Sequence, residues 1–212
     1  MRKSTKALIA VLFATFLFRC STLAPWQSVP SGQQAEYGRI ETDNMLIQFL
    51  AFSDDPGICA IAIQNKAVDY PARYAFILDE AGREALRGAF DKYERWKGIA
   101  QENQTEISKT ITTLDLQQVY NRDGGGWHDA GDREVSIVFR SRVEDNGTQS
   151  FSLALKPSPR YSRRWFYRVY GGDSLVLSDD QAITFSDFLS ENALKAGYEK
   201  AKKKQDVINM FN

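Results

Sequence analysis

The sequence predicts an α+β fold, in which a mainly antiparallel sheet of about seven to eight strands carries two amphipathic helices on one face. Short strand-like segments follow one another directly, whereas a doubly wound parallel sheet needs a helix between successive strands. Two strand-to-helix corners, at Asp79 and at Ser178, each lead into an amphipathic run. Because the two corners are alike, the sequence also suggests an internal duplication of a strand-rich unit that ends in a helix.

The composition indicates one balanced domain with a single core. The chain has 212 residues, of which 43% are hydrophobic and 25% are charged, which is enough for one core and short for two domains. Lysine plus arginine equals aspartate plus glutamate at 27 each, so no net charge attracts nucleic acid. One histidine and two cysteines argue against a zinc cluster or a disulfide framework. We expect one α+β domain over 36–204, between a tether at 25–35 and a frayed tail at 205–212.

The N-terminal segment, residues 1–24, predicts export. Arg2, Lys3 and Lys6 precede an uninterrupted apolar run at 7–18. This run suits a secretory signal and is shorter than the roughly 20 residues that span a bilayer. We therefore expect a protein that works outside the cytoplasm, either periplasmic or secreted.

Two processing routes of this segment remain open. Cys20 follows the apolar run directly, where a lipoprotein carries its lipidated cysteine, although Arg19 before it is unfavourable. Cleavage after Ala24 uses small residues at the recognition positions, but Pro25 after the cut is unfavourable. Under the first route, the lipid on Cys20 would be the contact of the chain with a membrane.

The first strands predict a hairpin of defined register. Segments 45–52 and 58–64 alternate apolar residues and flank a stretch rich in turn-forming residues. Pairing Phe52 with Ile58 brings the apolar faces of both strands together. The resulting pairs are Ala51 with Cys59, Phe49 with Ile61, and Ile47 with Ile63. We therefore expect Cys59 to be a buried, inert thiol.

Both helices begin at residues with a capping side chain. A third strand, 74–78, leads to Asp79, and Ser178 has Gln181 at capping-box spacing. The first helix is expected to end at Gly98 and the polar run 101–105, with Arg83 on its exposed face and a buried stripe of Leu86, Ala89, Phe90, Tyr93, Trp96 and Ala100. The second is predicted as one helix with the stripe Phe185, Phe188, Leu189, Ala193 and Ala196, which fades into the lysines that end at Lys204. We expect the two stripes to pack against each other.

The second half of the chain predicts further strands and a bulged hairpin. In the first of these strands, the apolar residues Ile107 and Ile111 lie at odd positions, whereas Leu114 and Leu116 lie at even positions. This change of face indicates a bulge near 112–115. Around Asp145-Asn146-Gly147, a three-residue loop with Gly147 in the left-handed conformation pairs Phe139 with Leu153 and buries the apolar face. The predicted strands of this half are 106–120, 135–143, 151–156, 165–170 and 174–177.

Residues 121–134 are the most function-like stretch, because they combine glycines, carboxylates and the single histidine. The oxygens of Asp123, Asp129 and Asp132 predict a Ca²⁺ site, since hard cations take six to eight oxygen ligands from loops. Two further candidate ligand-binding residues in this stretch are Trp127 and His128. The alternative is a plain solvent-facing hairpin loop, because the spacing does not fit an EF-hand.

A second candidate surface lies in residues 159–168, where cations and aromatic residues interleave. Its candidate ligand-binding residues are Arg163, Arg164 and Trp165. Such a pattern can bind phosphates, anionic lipid headgroups or acidic glycans. The alternative is an edge strand whose arginines stack on its own aromatic rings. The neutral net charge and the export signal argue against nucleic acid as the partner.

The functional prediction is an exported cell-envelope binding or assembly module, with an envelope protein or a glycan surface as its partner. The sequence contains no phosphate-binding glycine loop, dinucleotide fingerprint or serine-nucleophile elbow, so no catalytic residue is assigned. Apart from Ca²⁺, no cofactor is predicted. The alternative is a small extracytoplasmic hydrolase that acts on a glycan or peptide through acidic residues. In architecture, two strand-rich units that each end in a helix resemble single-stranded nucleic-acid-binding sheets, which is fold analogy alone.

Overall fold

In the described part of the chain, eight strands form one antiparallel sheet whose spatial order follows the chain order. The computed structural model of the protein describes residues 31–66, 73–121, 126–158 and 174–211. The strands are β1 (Gln34–Glu41), β2 (Met45–Phe52), β3 (Asp55–Asn65), β4 (Arg73–Leu78), β5 (Ile107–Asn121), β6 (His128–Val143), β7 (Gln149–Pro157) and β8 (Leu175–Ser178). The predicted antiparallel α+β architecture is confirmed.

Within the residues that the structure describes, three helices pack on the sheet, and the main hydrophobic core lies between them and the sheet. They are α1 (Glu80–Asn103), α2 (Asp179–Phe188) and α3 (Glu191–Asn209). Helix α2 contacts both β1 and β8, the two edge strands, so the sheet curves around the helices. In the part of the chain that the structure describes, no helix is long and apolar enough to cross a membrane.

The predicted register of the β2–β3 hairpin is confirmed over most of its length. Ala51 lies opposite Cys59, Phe49 opposite Ile61, and Ile47 opposite Ile63. The end of the hairpin differs, because the register shifts after Ala51 and pairs Phe52 with Asp55 instead of Ile58. The backbone N–H of Gly57 donates to the Asp55 carboxylate at 2.8 Å, so a local side-chain bond supports this irregular start of β3.

The β6–β7 hairpin has the predicted three-residue loop. The N–H of Glu144 donates to the carbonyl of Thr148, and Gly147 adopts a φ of 79°. Phe139 consequently lies opposite Leu153. A left-handed residue at this position is the bulge that keeps the apolar faces of the two strands in register.

Strands β5 and β6 form a long pair with two irregularities. The register shifts between Thr110 and Thr112, slightly before the expected bulge at 112–115, and again between Gln118 and Val119. Strand β6 begins at His128, so the residues from His128 to Glu134 lie in a strand and not in a loop as predicted. The hairpin connection is therefore shorter than the sequence suggested.

Helix α1 begins at the predicted cap and ends within the predicted polar run 101–105. The Asp79 side chain accepts a hydrogen bond from the N–H of Gly82 at 2.8 Å. Gly98 lies inside the helix, which continues to Asn103 and is closed by Gln104 in a left-handed conformation. A glycine inside a helix weakens it without ending it, so the cap at Gln104 determines the boundary.

The second helical segment is two helices, where the sequence predicted one. The predicted capping box of Ser178 and Gln181 is present at the start of α2, but α2 ends at Phe188 and Ser190 caps a new helix, α3. The residues that α3 buries are Leu194, Gly197 and Ala201, whereas Ala193 is half-buried and Ala196 is exposed. Helix α3 also extends past Lys204 to Asn209. Serine readily caps a helix with its own side chain, which explains a start at Ser190.

Aromatic contacts connect the helices to each other and to the sheet. The rings of Phe90 and Phe185 stack with centroids 5.2 Å apart, which confirms the expected contact between the two helical stripes. Phe185 also meets Phe49 of β2 edge-on at 4.8 Å. Cys59 is fully buried in the same core as Ile61, as predicted.

A polar contact fixes the start of α2 against α1. The Tyr93 hydroxyl donates to Asp179 at 2.9 Å, and Lys97 Nζ lies 2.7 Å from the same carboxylate. Although burial lowers the pKa of Lys97, its bond to Asp179 holds that pKa above the ordinary value. Since Asp179 is the first residue of α2, its negative charge also suits the positive end of that helix.

Two glycines allow the helices to approach β1 closely. A Cβ atom on Gly197 of α3 would lie 2.5 Å from the ring of Tyr37, and one on Gly38 would lie 2.5 Å from the ring of Phe188. A distance of 2.5 Å is shorter than real contacts of a Cβ atom, so a residue with a side chain does not fit at either position without a shift of its neighbours. The position of α3 against the start of the sheet therefore depends on Gly197.

Candidate ligand-binding cleft

A cleft of about 510 Å³ lies where α1 and α3 begin, beside the first residues of β3. We call it the Arg83 cleft after the residue at its floor. Its apolar and neutral lining consists of Pro56, Gly57, Leu189, Leu194 and Tyr198. The volume is in the range of small-molecule and peptide-end sites, which are mostly about 300–1,000 Å³.

Arg83 is a buried cation with little compensation. The residue is 8% exposed, and its Nη2 makes one long hydrogen bond, 3.4 Å, to the carbonyl of Gly57. Its Nε has no hydrogen-bond partner, and no carboxylate of the described residues lies within ion-pair distance of 4.0 Å. A buried charge without a partner destabilises the folded state, which makes Arg83 the most unusual side chain of the cleft.

The groups behind Arg83 carry no negative charge at neutral pH. Burial raises the pKa of the Cys59 thiol to about 11. Burial also raises the pKa of Tyr37. Both side chains lie in the electrostatic field of Arg83, yet both are neutral at physiological pH. The floor of the cleft is therefore positive.

The local sequence explains how Arg83 reaches this position. Asp79 caps α1, and the N–H of Arg83 donates to the Asp79 carbonyl at 3.0 Å, so Arg83 lies in the first turns of the helix. Residues three and seven positions later, Leu86 and Phe90, belong to the buried stripe. Arg83 therefore extends that stripe, and the expectation that it lies on the exposed face is wrong. The i, i+3 spacing to Leu86 is compatible with a buried position, but arginine is usually exposed, so the spacing alone did not indicate burial.

The rim of the cleft carries charges of both signs. Its acidic residues are Glu80, Glu84, Glu191 and Glu199, and its basic residues are Arg87 and Lys195. All six are exposed, and none takes part in an ion pair within the described ranges. Two helices begin here, so their positive dipole ends and first-turn N–H groups also face this region.

This arrangement can bind a ligand through an anionic group. A guanidinium presents N–H donors in a planar fork that matches a carboxylate or phosphate, and such charge-assisted bonds are among the strongest in proteins. Comparison with protein-family models, curated proteins and solved structures gives no match. The function of this protein is therefore inferred from the geometry of the Arg83 cleft.

A second, smaller cavity of about 350 Å³ lies between α1 and the β5–β6 pair. Its lining is mostly apolar and includes Trp96, Ile99 and Phe139. Lys92 and Lys109 lie over the indole ring of Trp96, with Nζ atoms 4.9 and 5.2 Å from its centroid. No buried, unpaired polar group of the described residues faces this cavity, so it resembles a site less than the Arg83 cleft does.

The predicted ligand-binding residues near the β5–β6 connection lie at the opposite end of β4 from the Arg83 cleft. Strand β4 starts at Arg73, which pairs with Asn121 next to that connection, and ends at Leu78 just before the cap of α1. Trp127 is half-buried and packs against a small hydrophobic cluster on the second face of the sheet. The ring of His128, an exposed residue, lies 5.4 Å from that of Tyr120. The structure therefore brings neither residue to the cleft.

The predicted Ca²⁺ ligands are only partly within the described ranges. Asp129 accepts a hydrogen bond from the N–H of Gly131 at 3.0 Å, and Asp132 is exposed on β6. Asp123 lies outside the described residues. Among the residues that are described, no group of three or more histidine, cysteine, aspartate or glutamate side chains could hold a metal ion. The three-aspartate site stays a prediction, and a Ca²⁺-dependent rise in melting temperature would test it.

The remaining sequence candidates also fall outside the described residues. These are Cys20, Arg163, Arg164 and Trp165. Lipidation of Cys20 and ligand binding by the arginine and tryptophan residues therefore stay predictions.

Proposed function

We propose that this protein is an exported binding module of the cell envelope, and that the Arg83 cleft holds its ligand through an anionic group. The observation that carries the proposal is Arg83 itself, which is buried without a carboxylate partner in the described part of the chain. A cation in this environment destabilises the empty protein. An incoming anion would supply the missing partner, and the low local dielectric would strengthen the bond.

The floor of the cleft also favours binding over proton transfer. A guanidinium is not a proton donor or acceptor in proteins, and burial raises the pKa of the Cys59 thiol to about 11. Neither group exchanges a proton readily near neutral pH. The acidic residues that a hydrolase would need lie on the exposed rim. The cleft therefore suits recognition of a ligand better than its cleavage.

The extracytoplasmic location is part of the proposal and depends on residues 1–24. Mass spectrometry of the mature protein from its native cell tests it directly. A diacylated Cys20 would place the module on a membrane through a lipid, and an N-terminus at Pro25 would indicate release. Recovery of an intact Met1 or Arg2 N-terminus from the cell interior would refute export.

Thermal melting in the presence of simple anions tests the binding site. Acetate, inorganic phosphate and sulfate are compared with chloride at constant ionic strength, for the wild type, for Arg83→Gln and for Arg95→Gln. Arg95 is an exposed arginine of the same helix outside the cleft, so it is the matched control. Binding to the folded state alone raises stability by about 2.7 kcal/mol when the anion is at 100 times its Kd.

We expect at least one anion to raise the melting temperature of the wild type and of Arg95→Gln, and to leave Arg83→Gln unchanged. Equal shifts in all three proteins would mean that the anions act nonspecifically. That result, or the absence of any shift, would refute the proposed site.

A further inference from the structure

The distribution of charge in the Arg83 cleft specifies its ligand further than an anionic group. The floor has one buried cation, whereas the rim has four glutamates against one arginine and one lysine. The rim is therefore negative by two formal charges, which follows from four acids and two bases. A ligand that matches the charge of both the floor and the rim has a negative end and a positive body.

The negative end of the ligand should carry a single charge. A phosphate group carries about −1.5 to −2 at neutral pH, and it would have to pass the excess of rim glutamates to reach one guanidinium. A carboxylate carries one negative charge and has the planar geometry that the guanidinium fork binds through two parallel bonds. The floor therefore favours a carboxylate over a phosphate.

The walls between floor and rim suit aliphatic side chains. Among the lining residues, Pro56 is exposed and Tyr198 is half-buried, so both present apolar surface to the cleft, with the buried Leu189 and Leu194 behind them. Lysine and arginine side chains lay their methylene groups on such surfaces and keep their charge in water. Their cationic ends would then lie at the height of the rim glutamates.

We infer that the Arg83 cleft binds the free C-terminus of a basic peptide segment. The terminal α-carboxylate pairs with Arg83 at the floor, and lysine or arginine side chains of the peptide pair with rim carboxylates such as Glu84 and Glu199. Capture of a terminal carboxylate is an established mode of peptide recognition. This inference rests on the proposed function and names the class of ligand for the same cleft.

Four peptides of one length test the inference with the mature protein. The first is Ala-Lys-Ala-Lys-Ala with a free C-terminus, and the second is the same peptide with a C-terminal amide. The third replaces both lysines by norleucine, and the fourth replaces both by glutamate. Isothermal titration calorimetry measures each affinity for the wild type, for Arg83→Gln and for the double variant Glu84→Gln, Glu199→Gln.

We expect the free acid to bind most tightly, and amidation to weaken binding about tenfold or more through loss of a charged hydrogen bond. Replacing lysine by norleucine should weaken it by up to about fivefold, because exposed ion pairs contribute less. The Arg83→Gln variant should bind the acid and the amide equally. The double variant should lose the preference for lysine over norleucine and keep the preference for the acid.

Different outcomes separate this inference from the proposed function. If acetate acts through Arg83 but the amidated or the glutamate peptide binds as tightly as the free lysine peptide, the peptide inference is wrong and the anion site stands. If neither acetate nor any of the four peptides binds, both are wrong. Circular dichroism of each variant shows whether a lost interaction reflects a lost fold.

Discussion

Replacing Arg83 by methionine should make the empty protein more stable. Methionine keeps a long, unbranched stem that packs against the core, and it removes the buried charge. The folded state would lose one 3.4 Å hydrogen bond to the Gly57 carbonyl. Such a bond contributes about 1 kcal/mol in net terms, and less at this length.

The free energy gained by removing the buried charge is larger than the free energy of this hydrogen bond. Desolvation of a buried ion destabilises the folded state by several kcal/mol, and ion pairing with a carboxylate is missing around Arg83 in the described residues. The rim glutamates are exposed, so water and salt screen their attraction. We therefore expect Arg83→Met to raise the free energy of unfolding by about 1–3 kcal/mol. For a domain of this size the melting temperature should rise by roughly 2–4 °C per kcal/mol.

Urea unfolding without added anions, followed by tryptophan fluorescence, measures this free energy directly. Arg95→Met is the control, because substitution of an exposed residue normally changes stability by less than about 0.5 kcal/mol. A midpoint that falls for Arg83→Met, with an unchanged slope and a neutral control, would show that the guanidinium is compensated in the fold. Arg83 would then need no anion as a partner, and the proposed binding site would be refuted.

Three further perturbations test the packing of the helices and the burial of Cys59. Gly98→Ala should raise the free energy of unfolding by about 0.5–1 kcal/mol, since nothing lies within 4 Å of the new Cβ. Gly197→Ala should lower the free energy of unfolding by about 1–3 kcal/mol, because its Cβ would lie 2.5 Å from Tyr37. Thermal melts of the two variants that shift in the same direction would contradict these predictions. In a Cys20→Ser variant, iodoacetamide should alkylate Cys59 far more slowly in the folded than in the urea-unfolded protein at pH 8. Folding raises the pKa of this thiol from its ordinary 9.0 to about 11, so the thiol ionises at lower pH in the unfolded protein than in the folded one. The contribution of the neutral thiol to the stability of the fold should therefore be complete below pH 9 and lost as the pH approaches 11.

The strand registers could be predicted from the sequence because their determinants are local. Alternating apolar residues set the facing pairs of β2 and β3, and a left-handed Gly147 sets the loop between β6 and β7. The exception at Phe52 also has a local cause, since the Asp55 side chain bonds to the N–H of Gly57 and starts β3 early. Turn chemistry of this kind competes with simple alternation and is hard to rank from sequence.

The floor of the cleft could not be predicted because its burial is a tertiary effect. A helical pattern assigns arginine to the solvent side, and that rule is correct for Arg95. Arg83 differs because residues of β3 and α3, which are distant in sequence, line the same cleft, and its Nη2 bonds to the Gly57 carbonyl of β3. The candidates that the sequence did indicate, such as Trp127 and His128, stand out by residue type, whereas Arg83 stands out only by its surroundings.

The break between α2 and α3 explains why the cleft has its electrostatic character. One continuous helix from Asp179 to Asn209 would have a single N-terminus, and that terminus is already bound to Lys97 through Asp179. Ser190 starts a second helix, so another positive dipole end and another set of first-turn N–H groups appear at the cleft, next to the start of α1. Gly197 then lets this helix approach β1 closely enough to form a wall. The binding site is therefore assembled from three separate segments, each with an ordinary local sequence, and its positive floor results from their packing.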